Sequence, residues 1–208
     1  MSSDYPFTVP ADAVRPPASG PGADRALAAN LLGTLALTIE DRIALGTRSV
    51  VGRGAGAPAA LVTLLWYPDR PIGFLAARLR ISHPGAVQLA QRLAADGLVE
   101  RIPGADGRTT LLALTPAGET AAQAVLAARR TVLERAVPAL SDSGVAAFLG
   151  TAAALLAALT DDLLTGEFMC RMCDELACPD ARCPVEQAAP APVARRGLEG
   201  HGHARLPA

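Results

Sequence analysis

The chain has 208 residues, of which 19 are arginine, none is lysine and 20 are acidic, for a formal net charge of −1. That balance excludes a polybasic, histone-like binder but leaves room for a local basic face. Half of the residues are hydrophobic while only 3% are aromatic and 19% charged, so the apolar mass is Ala, Leu and Val, which favours packed helices over an aromatic-rich β-sandwich.

Residues 1–22 are rich in Pro, Gly, Ser and Ala and have no apolar core segment. They read as a disordered arm rather than a secretory signal, which points to the cytoplasm. From Asp24, apolar residues at Leu27, Leu31, Leu32, Leu35, Ile39, Ile43 and Leu45 recur at helical spacing. This predicts one amphipathic helix that closes near 52–56. A second helix is expected over 58–66, stopped by Pro68, and a third over 72–79 with Leu75 and Leu79 on one face. Ser82 is a candidate N-cap for a fourth helix, with Pro84 in its first turn and Gly97 past its end. Two β-prone stretches, 98–102 and 109–114, flank a turn rich in Gly and Pro and predict a hairpin. Thr115 and Pro116 then open a helix to about residue 136, and Ser141 opens a last one to about residue 164. Its uncharged run 143–160 has the length of a membrane span but is mostly Ala, which gains little from hydrocarbon, so no membrane helix is expected. Residues 186–208, with His201 and His203, read as a disordered tail.

The helices 72–79 and 83–96 with the hairpin 98–114 form the pattern of a winged helix-turn-helix. In the second of these helices Ala86, Leu89, Ala90 and Leu93 point inward, with Ile81 ahead of them and Leu98 and Val99 behind. The opposite face carries His83, Gly85, Val87, Gln88, Gln91 and Arg92. Such side chains suit a DNA groove: Gln addresses adenine in two places, Arg addresses guanine or phosphate, and Val touches a thymine methyl. His83 is expected to hydrogen-bond a phosphate. Residues 70–108 hold six arginines against three carboxylates, whereas the remainder holds thirteen against seventeen, so positive charge concentrates where a duplex would lie. Arginine matters here because its fork bonds phosphates and guanine, where lysine acts as a point charge. At the hairpin, Arg108 stands beside a Gly-containing turn, a position from which an arginine enters a narrow minor groove. Alternatively, Asp106 and Arg108 merely pair across the turn.

The stretches Leu98-Val99-Glu100-Arg101, Asp106-Gly107-Arg108-Thr109 and Leu114-Thr115-Pro116-Ala117-Gly118 resemble the MarR family of bacterial winged-helix transcription regulators. The likeness extends to the element order over 24–165. It implies a mainly α fold with a small β-hairpin wing, flanked by N- and C-terminal dimerisation helices, and no enzymatic activity. It also implies a homodimer joined by its terminal helices on a pseudo-palindromic double-stranded DNA operator, with Asp106 bracing the wing and Arg108 in the minor groove. A small-molecule effector between dimer helices and DNA-binding lobe is a further expectation from the family, and Trp66 and Tyr67 either line such a pocket or pack in the core. The start His83-Pro84-Gly85 departs from the polar donors usual there, which shifts the expected base contacts to Gln88, Gln91 and Arg92. The surplus apolar surface of helices 24–50 and 144–164 agrees with a dimer. The expected organisation is an arm (1–22), an N-terminal dimerisation helix (23–56), the DNA-binding domain (57–115), C-terminal dimerisation helices (116–168), a cysteine motif (169–185) and a tail (186–208).

All four cysteines fall in that motif, at Cys170, Cys173, Cys178 and Cys183, a C-x2-C-x4-C-x4-C spacing. It matches the ligand spacing of a zinc knuckle, with Cys178 at the histidine position. Clustered thiolates repel one another unless a cation neutralises them, and a Zn²⁺ ion in a Cys₄ shell leaves a −2 charge that Arg171 and Arg182 are placed to offset. An iron–sulfur cluster and metal-free thiols that form switchable disulfides are the alternatives. Two other functions fit the same residues: a thiol-based redox or metal-handling protein on a helical dimer scaffold, and a winged helix used only for protein contacts. No phosphate-cradling glycine loop, nucleophile elbow or paired-histidine metal motif points to an enzyme.

Overall fold

The computed structural model describes residues 20–52, 56–105 and 108–189. The expected arm and tail lie largely outside the described residues, as do the glycine-rich 53–55, His201, His203 and Asp106.

The first helix, α1 (Pro21–Val51), begins inside the stretch expected to be arm. The chain divides within it, into units 1–41 and 42–208. In the first unit Leu27, Leu31, Leu32, Leu35 and Leu37 are all exposed.

The second unit takes up α1 at Arg42 and continues with α2 (Ala57–Trp66), the two-residue strand β1 (Arg70–Pro71), α3 (Ile72–Leu79) and α4 (His83–Ala95). Strands β2 (Val99–Pro103) and β3 (Thr110–Leu114) follow, then α5 (Pro116–Glu134) and α6 (Asp142–Ala158). Two short helices, α7 (Leu163–Met169) and α8 (Pro184–Ala188), bracket the cysteines. The core joins Leu61 and Leu64 of α2, Leu75 of α3, Leu89 of α4, Leu112 of β3 and Val125 of α5, all essentially inaccessible. Burial of a leucine contributes about 1.5–3 kcal/mol, so these few residues hold helix-turn-helix, wing and α5 together.

The wing is a three-stranded antiparallel sheet in the order β1-β3-β2, registered from Val99 opposite Leu114 to Pro103 opposite Thr110. Strand β1 was not foreseen. Arg70 and Pro71 pair with Leu112 and Leu111, but two residues carry no alternation, and proline is tolerated there only because β1 is an edge.

The helix expected from Ser141 to residue 164 is broken. It ends at Ala158, and Asp162 Oδ1 accepts the Thr165 backbone N–H at 2.6 Å to start α7. The apolar spacing runs on through the gap and hides it, but aspartate is a strong N-cap and a weak helix interior residue, so Asp162 begins a new helix. Similarly, α8 lies partly in the stretch expected to be tail. Among the described residues no helix is long and apolar enough to cross a membrane.

Candidate DNA-binding surface and cysteine module

Helix α4 starts with Ser82, whose hydroxyl accepts the Gly85 N–H at 3.2 Å, while His83 and Pro84 occupy the first two positions, where a missing N–H costs nothing. It ends where Gly97 turns left-handed at φ 70°, with the Leu98 N–H on the Leu93 carbonyl and the Gly97 N–H on that of Ala94. That close favours glycine, which has no Cβ to strain there. Between these caps Ala86, Leu89, Ala90 and Leu93 are buried, whereas His83, Gln88, Gln91 and Arg92 are exposed and Gly85 and Val87 half-buried. The expected two-faced helix is therefore present. Ile81, expected inward, is 37% exposed, and Leu98 is half-buried.

The wing begins at the same corner. The Thr115 hydroxyl donates to the Gly97 carbonyl at 2.6 Å and accepts the Gly118 N–H at 3.0 Å, and the Thr115 N–H bonds the Leu98 carbonyl. One side chain thus ties the end of α4 to the start of α5. Towards the hairpin tip, the Gly104 N–H bonds the Thr109 carbonyl at 2.7 Å. Arg101 and Arg108 are exposed on the wing.

The basic face is narrower than the arginine count implies. Arg78 is 4% exposed and forms an ion pair with Glu175 at 3.9 Å. Arg80 donates to Thr165 Oγ1 at 2.5 Å and lies 5.2 Å from the Phe168 ring centroid. The Arg70 guanidinium packs on Phe74. Arg92, Arg101 and Arg108 are exposed.

The four cysteines lie near one another. The Cys170 thiol is hydrogen-bonded to Cys173 and Cys183, which with burial pushes it far above the ordinary thiol range. The hydrogen bond from Cys170, assisted by the Arg129 and Arg78 guanidiniums, pulls Cys173 down to about 7 against the opposing effect of burial. Those two arginines, rather than the expected pair, supply the positive field. Arg171 stacks on Phe168 at 3.9 Å and donates to its carbonyl, and Arg182 is exposed. As the thiols stand, no group of three or more ligand-type residues among the described ones is arranged to hold a metal ion.

The module is attached to the DNA-binding lobe by contacts the spacing of the sequence did not reveal. The Trp66 indole N–H donates to the Cys173 carbonyl at 3.1 Å. Tyr67, at the end of α2, is hydrogen-bonded to Glu175, and the Arg78 guanidinium lies 4.3 Å from its ring centroid. Burial, with the Glu175 carboxylate adding to it, pushes the Tyr67 hydroxyl well above the ordinary phenol range. Met172, between two cysteines, packs against both core clusters, and Arg130 pairs with Asp174 at 3.2 Å. Glu175 and Arg78 are 97 positions apart in the chain, so only an excess of charged residues amid apolar helices hints at their meeting.

A buried Ala/Leu ridge behind an exposed Gln/Arg face, set beside a twisted wing, defines a winged helix-turn-helix of the DNA-binding kind. The model of the MarR family matches residues 60–109. The fold is similar to that of the YusO protein from Bacillus subtilis, at 19% identity and a TM-score of 0.59 over 66% of this chain and 97% of that one. It is similar also to a MarR family protein from Bacillus stearothermophilus, at 21% identity and a TM-score of 0.56 over 66% and 96%. A third likeness is to MepR, a transcription regulator of the Staphylococcus aureus multidrug efflux pump MepA, at 16% identity and a TM-score of 0.56 over 63% and 97%. No curated protein matches the chain significantly. Over its helix-turn-helix and wing the chain is thus similar to the MarR family, and its fold is similar to that of the three structures.

Proposed function

We propose that the protein acts as a homodimeric repressor that binds a pseudo-palindromic operator, one α4 per half-site, and that its four cysteines hold zinc. The observation that carries the DNA reading is the exposed row Gln88, Gln91 and Arg92 over the buried Leu89 and Leu93 ridge. Glutamine and arginine on one rigid face make paired hydrogen bonds to base edges. His83, Gly85 and Val87 lie along the same face for phosphate and methyl contacts. Arg108, with Asp106 two positions before it in the sequence, serves the adjacent minor groove.

Dimerisation is supported by apolar surface that the single chain leaves open. Five leucines of α1 in the first unit are exposed, and in the second unit α6 has no buried residue while Phe148, Leu149, Leu155, Leu156 and Leu159 are exposed. Solvent contact over so much Leu and Phe is costly, and two-fold pairing removes it while matching a two-fold operator. On this reading 23–56 and 116–168 join the protomers, 57–115 reads DNA and 169–185 is the metal motif.

Zinc is supported by the number, type and closeness of the thiols, and by the positive field of Arg78 and Arg129 at Cys173, which favours the thiolate a metal requires. Closing a tetrahedral shell needs a shift of the thiols from their present mutual hydrogen bonds. Two measurements test the reading. Selection from a pool of random duplexes should enrich a two-fold-related sequence, and recovery of none would overturn operator binding. Elemental analysis with an absorption spectrum of anaerobically purified protein should give one colourless zinc per chain. A visible chromophore would indicate iron–sulfur, and absence of metal would indicate redox thiols.

A further inference from the structure

Arg78 and Arg80 both find partners within the chain, but they are held in different ways. Arg78 is buried, pairs with the Glu175 carboxylate at 3.9 Å and lies over the Tyr67 ring. Releasing it would strand a charge inside the lobe, so it is fixed in place. Arg80 is exposed, and its hydrogen bond goes to a neutral acceptor, the Thr165 hydroxyl, while its guanidinium lies over the Phe168 ring. A hydrogen bond in such a setting contributes little in net terms, because water readily replaces either partner. The Asp162 carboxylate attracts Arg80 at longer range, but its own hydrogen bond goes to the Thr165 N–H.

Release of Arg80 also disturbs little around it. The Arg171 guanidinium lies 3.9 Å from the Phe168 ring centroid, nearer than Arg80 at 5.2 Å, so the ring keeps a cationic partner when Arg80 leaves. On its other side α7 packs closely on α8: a β-carbon at the buried Gly166 would stand 3.0 Å from Val185 Cγ1. The position of Arg80 makes release useful. It caps α3 two residues before Ser82, the N-cap of α4, and a recognition helix presents its N-terminal residues to the groove, with backbone phosphates running past the residues just ahead of it. Its backbone is left-handed at φ 51°, a conformation that glycine adopts without strain and that disfavours any residue with a Cβ. An arginine is therefore more strained here than the turn requires, which points to a use for its side chain.

We propose that Arg80 is a phosphate-binding residue held in reserve by α7: in the free chain its guanidinium rests on Thr165 and Phe168, and on a duplex it exchanges them for a backbone phosphate beside the first turn of α4. The inference rests on the DNA reading above and adds to it one contact and one competitor for that contact. A phosphate oxygen offers Arg80 a charge-assisted hydrogen bond, roughly twice as strong as the neutral one it gives up. Chains in which Arg80 still rests on α7 lack that contact, and apparent affinity is lowered in proportion to the competent fraction. Phosphates are alike at every sequence, so the exchange governs how tightly any duplex is held and leaves the choice of sequence to Gln88, Gln91 and Arg92.

The test measures affinity of the full chain for a labelled duplex of unrelated sequence, by fluorescence anisotropy over a series of salt concentrations, with circular dichroism to establish that each variant is folded. Arg80→Ala keeps a β-carbon at the left-handed position and should weaken binding and lower the salt slope by about 0.9, the share of one phosphate. Thr165→Val keeps the branched shape but removes the acceptor, and should tighten binding by about two- to tenfold, the equivalent of one intramolecular hydrogen bond. Its salt slope should match the wild type, because Arg80 meets phosphate in both complexes. Thr165→Ser restores the hydroxyl and should restore wild-type affinity, and Thr165→Val should have no effect in a chain that already carries Arg80→Ala. An unchanged salt slope for Arg80→Ala would overturn the phosphate contact, and weaker binding by a folded Thr165→Val would overturn the competition and make α7 a support of the turn instead. Failure of the wild-type chain to bind any duplex at low salt would overturn the DNA reading itself, an outcome distinct from both.

Discussion

Gly118 and the Leu98 carbonyl stand so close that a β-carbon on the glycine would fall deep inside van der Waals contact with the carbonyl carbon and oxygen. The contact lies where the wing hands over to α5, and backbone cannot move aside as a side-chain tip can. Gly118→Ala therefore forces α5 away from the end of α4. Overpacking typically costs about 1–3 kcal/mol, so thermal unfolding should show a loss at or above the upper end of that range, with weakened duplex binding as the wing shifts.

Thr115 serves that junction from the other side. Thr115→Val keeps the branched shape but removes both hydroxyl bonds, to the Gly97 carbonyl and from the Gly118 N–H. Loss of such a cap costs about 0.5–2 kcal/mol. Denaturant unfolding should report a shift in that range, and Thr115→Ser should recover most of it.

Asp162 gives the fold an acid-sensitive point. Its carboxylate accepts the Thr165 N–H, and chiefly for that reason its pKa is held below the ordinary carboxylate range. A carboxylate depressed in the folded state stabilises above its unfolded pKa, and that contribution is lost as pH falls through the lower folded value. Unfolding scans between about pH 5 and pH 2 should show the wild type losing more stability than Asp162→Asn, which keeps a capping oxygen without the charge. The same acid range should loosen the start of α7, next to the Arg80 contact.

Of six arginines in 70–108, Arg92, Arg101 and Arg108 are exposed, whereas Arg78 is buried against Glu175 and the Arg70 and Arg80 guanidiniums lie over the Phe74 and Phe168 rings. Replacing Arg101 or Arg108 by Ala should weaken binding to selected and unrelated duplexes alike and lower the salt slope by about one unit each, since each neutralised phosphate contributes about 0.9 to that slope. Arg92→Ala should cut preferentially into affinity for the selected sequence.

The exposed leucines of α1 yield a prediction independent of DNA. A Leu31→Glu, Leu35→Glu double substitution adds charge where no core packing is lost, because both residues are exposed, at 57% and 46%. Sedimentation equilibrium should give a dimer for the wild type and a monomer for the variant, with the helical circular dichroism of the second unit retained.

The sequence exposed the fold wherever short-range chemistry decides it. Ser82, Thr115 and Ser141 each start a helix by accepting an N–H three residues on, and the spacing of Leu89 and Leu93 separates the two faces of α4 with no knowledge of the rest of the chain. It did not expose what depends on distant partners. The Ala-rich run 143–160 continues its apolar pattern into the gap after Ala158, so the start of a new helix at Asp162 was hidden. Arg78 and Arg80 look like DNA-facing charges because their neighbours in sequence are; their true partners, Glu175, Thr165 and Phe168, approach only after the chain has folded back on itself. Those partners turn a basic patch into a fastening for the cysteine module.

The most direct test of the account compares the affinity of the full chain for its selected duplex with that for a scrambled one, before and after a Gln88→Ala, Gln91→Ala double substitution. Two exposed glutamines on a helix whose buried ridge is untouched should leave the melting temperature unchanged and bring the ratio of affinities down by at least tenfold, at about 1–3 kcal/mol for each paired base contact. An unaltered ratio in a variant that remains folded would contradict the assignment of this face of α4 to sequence reading.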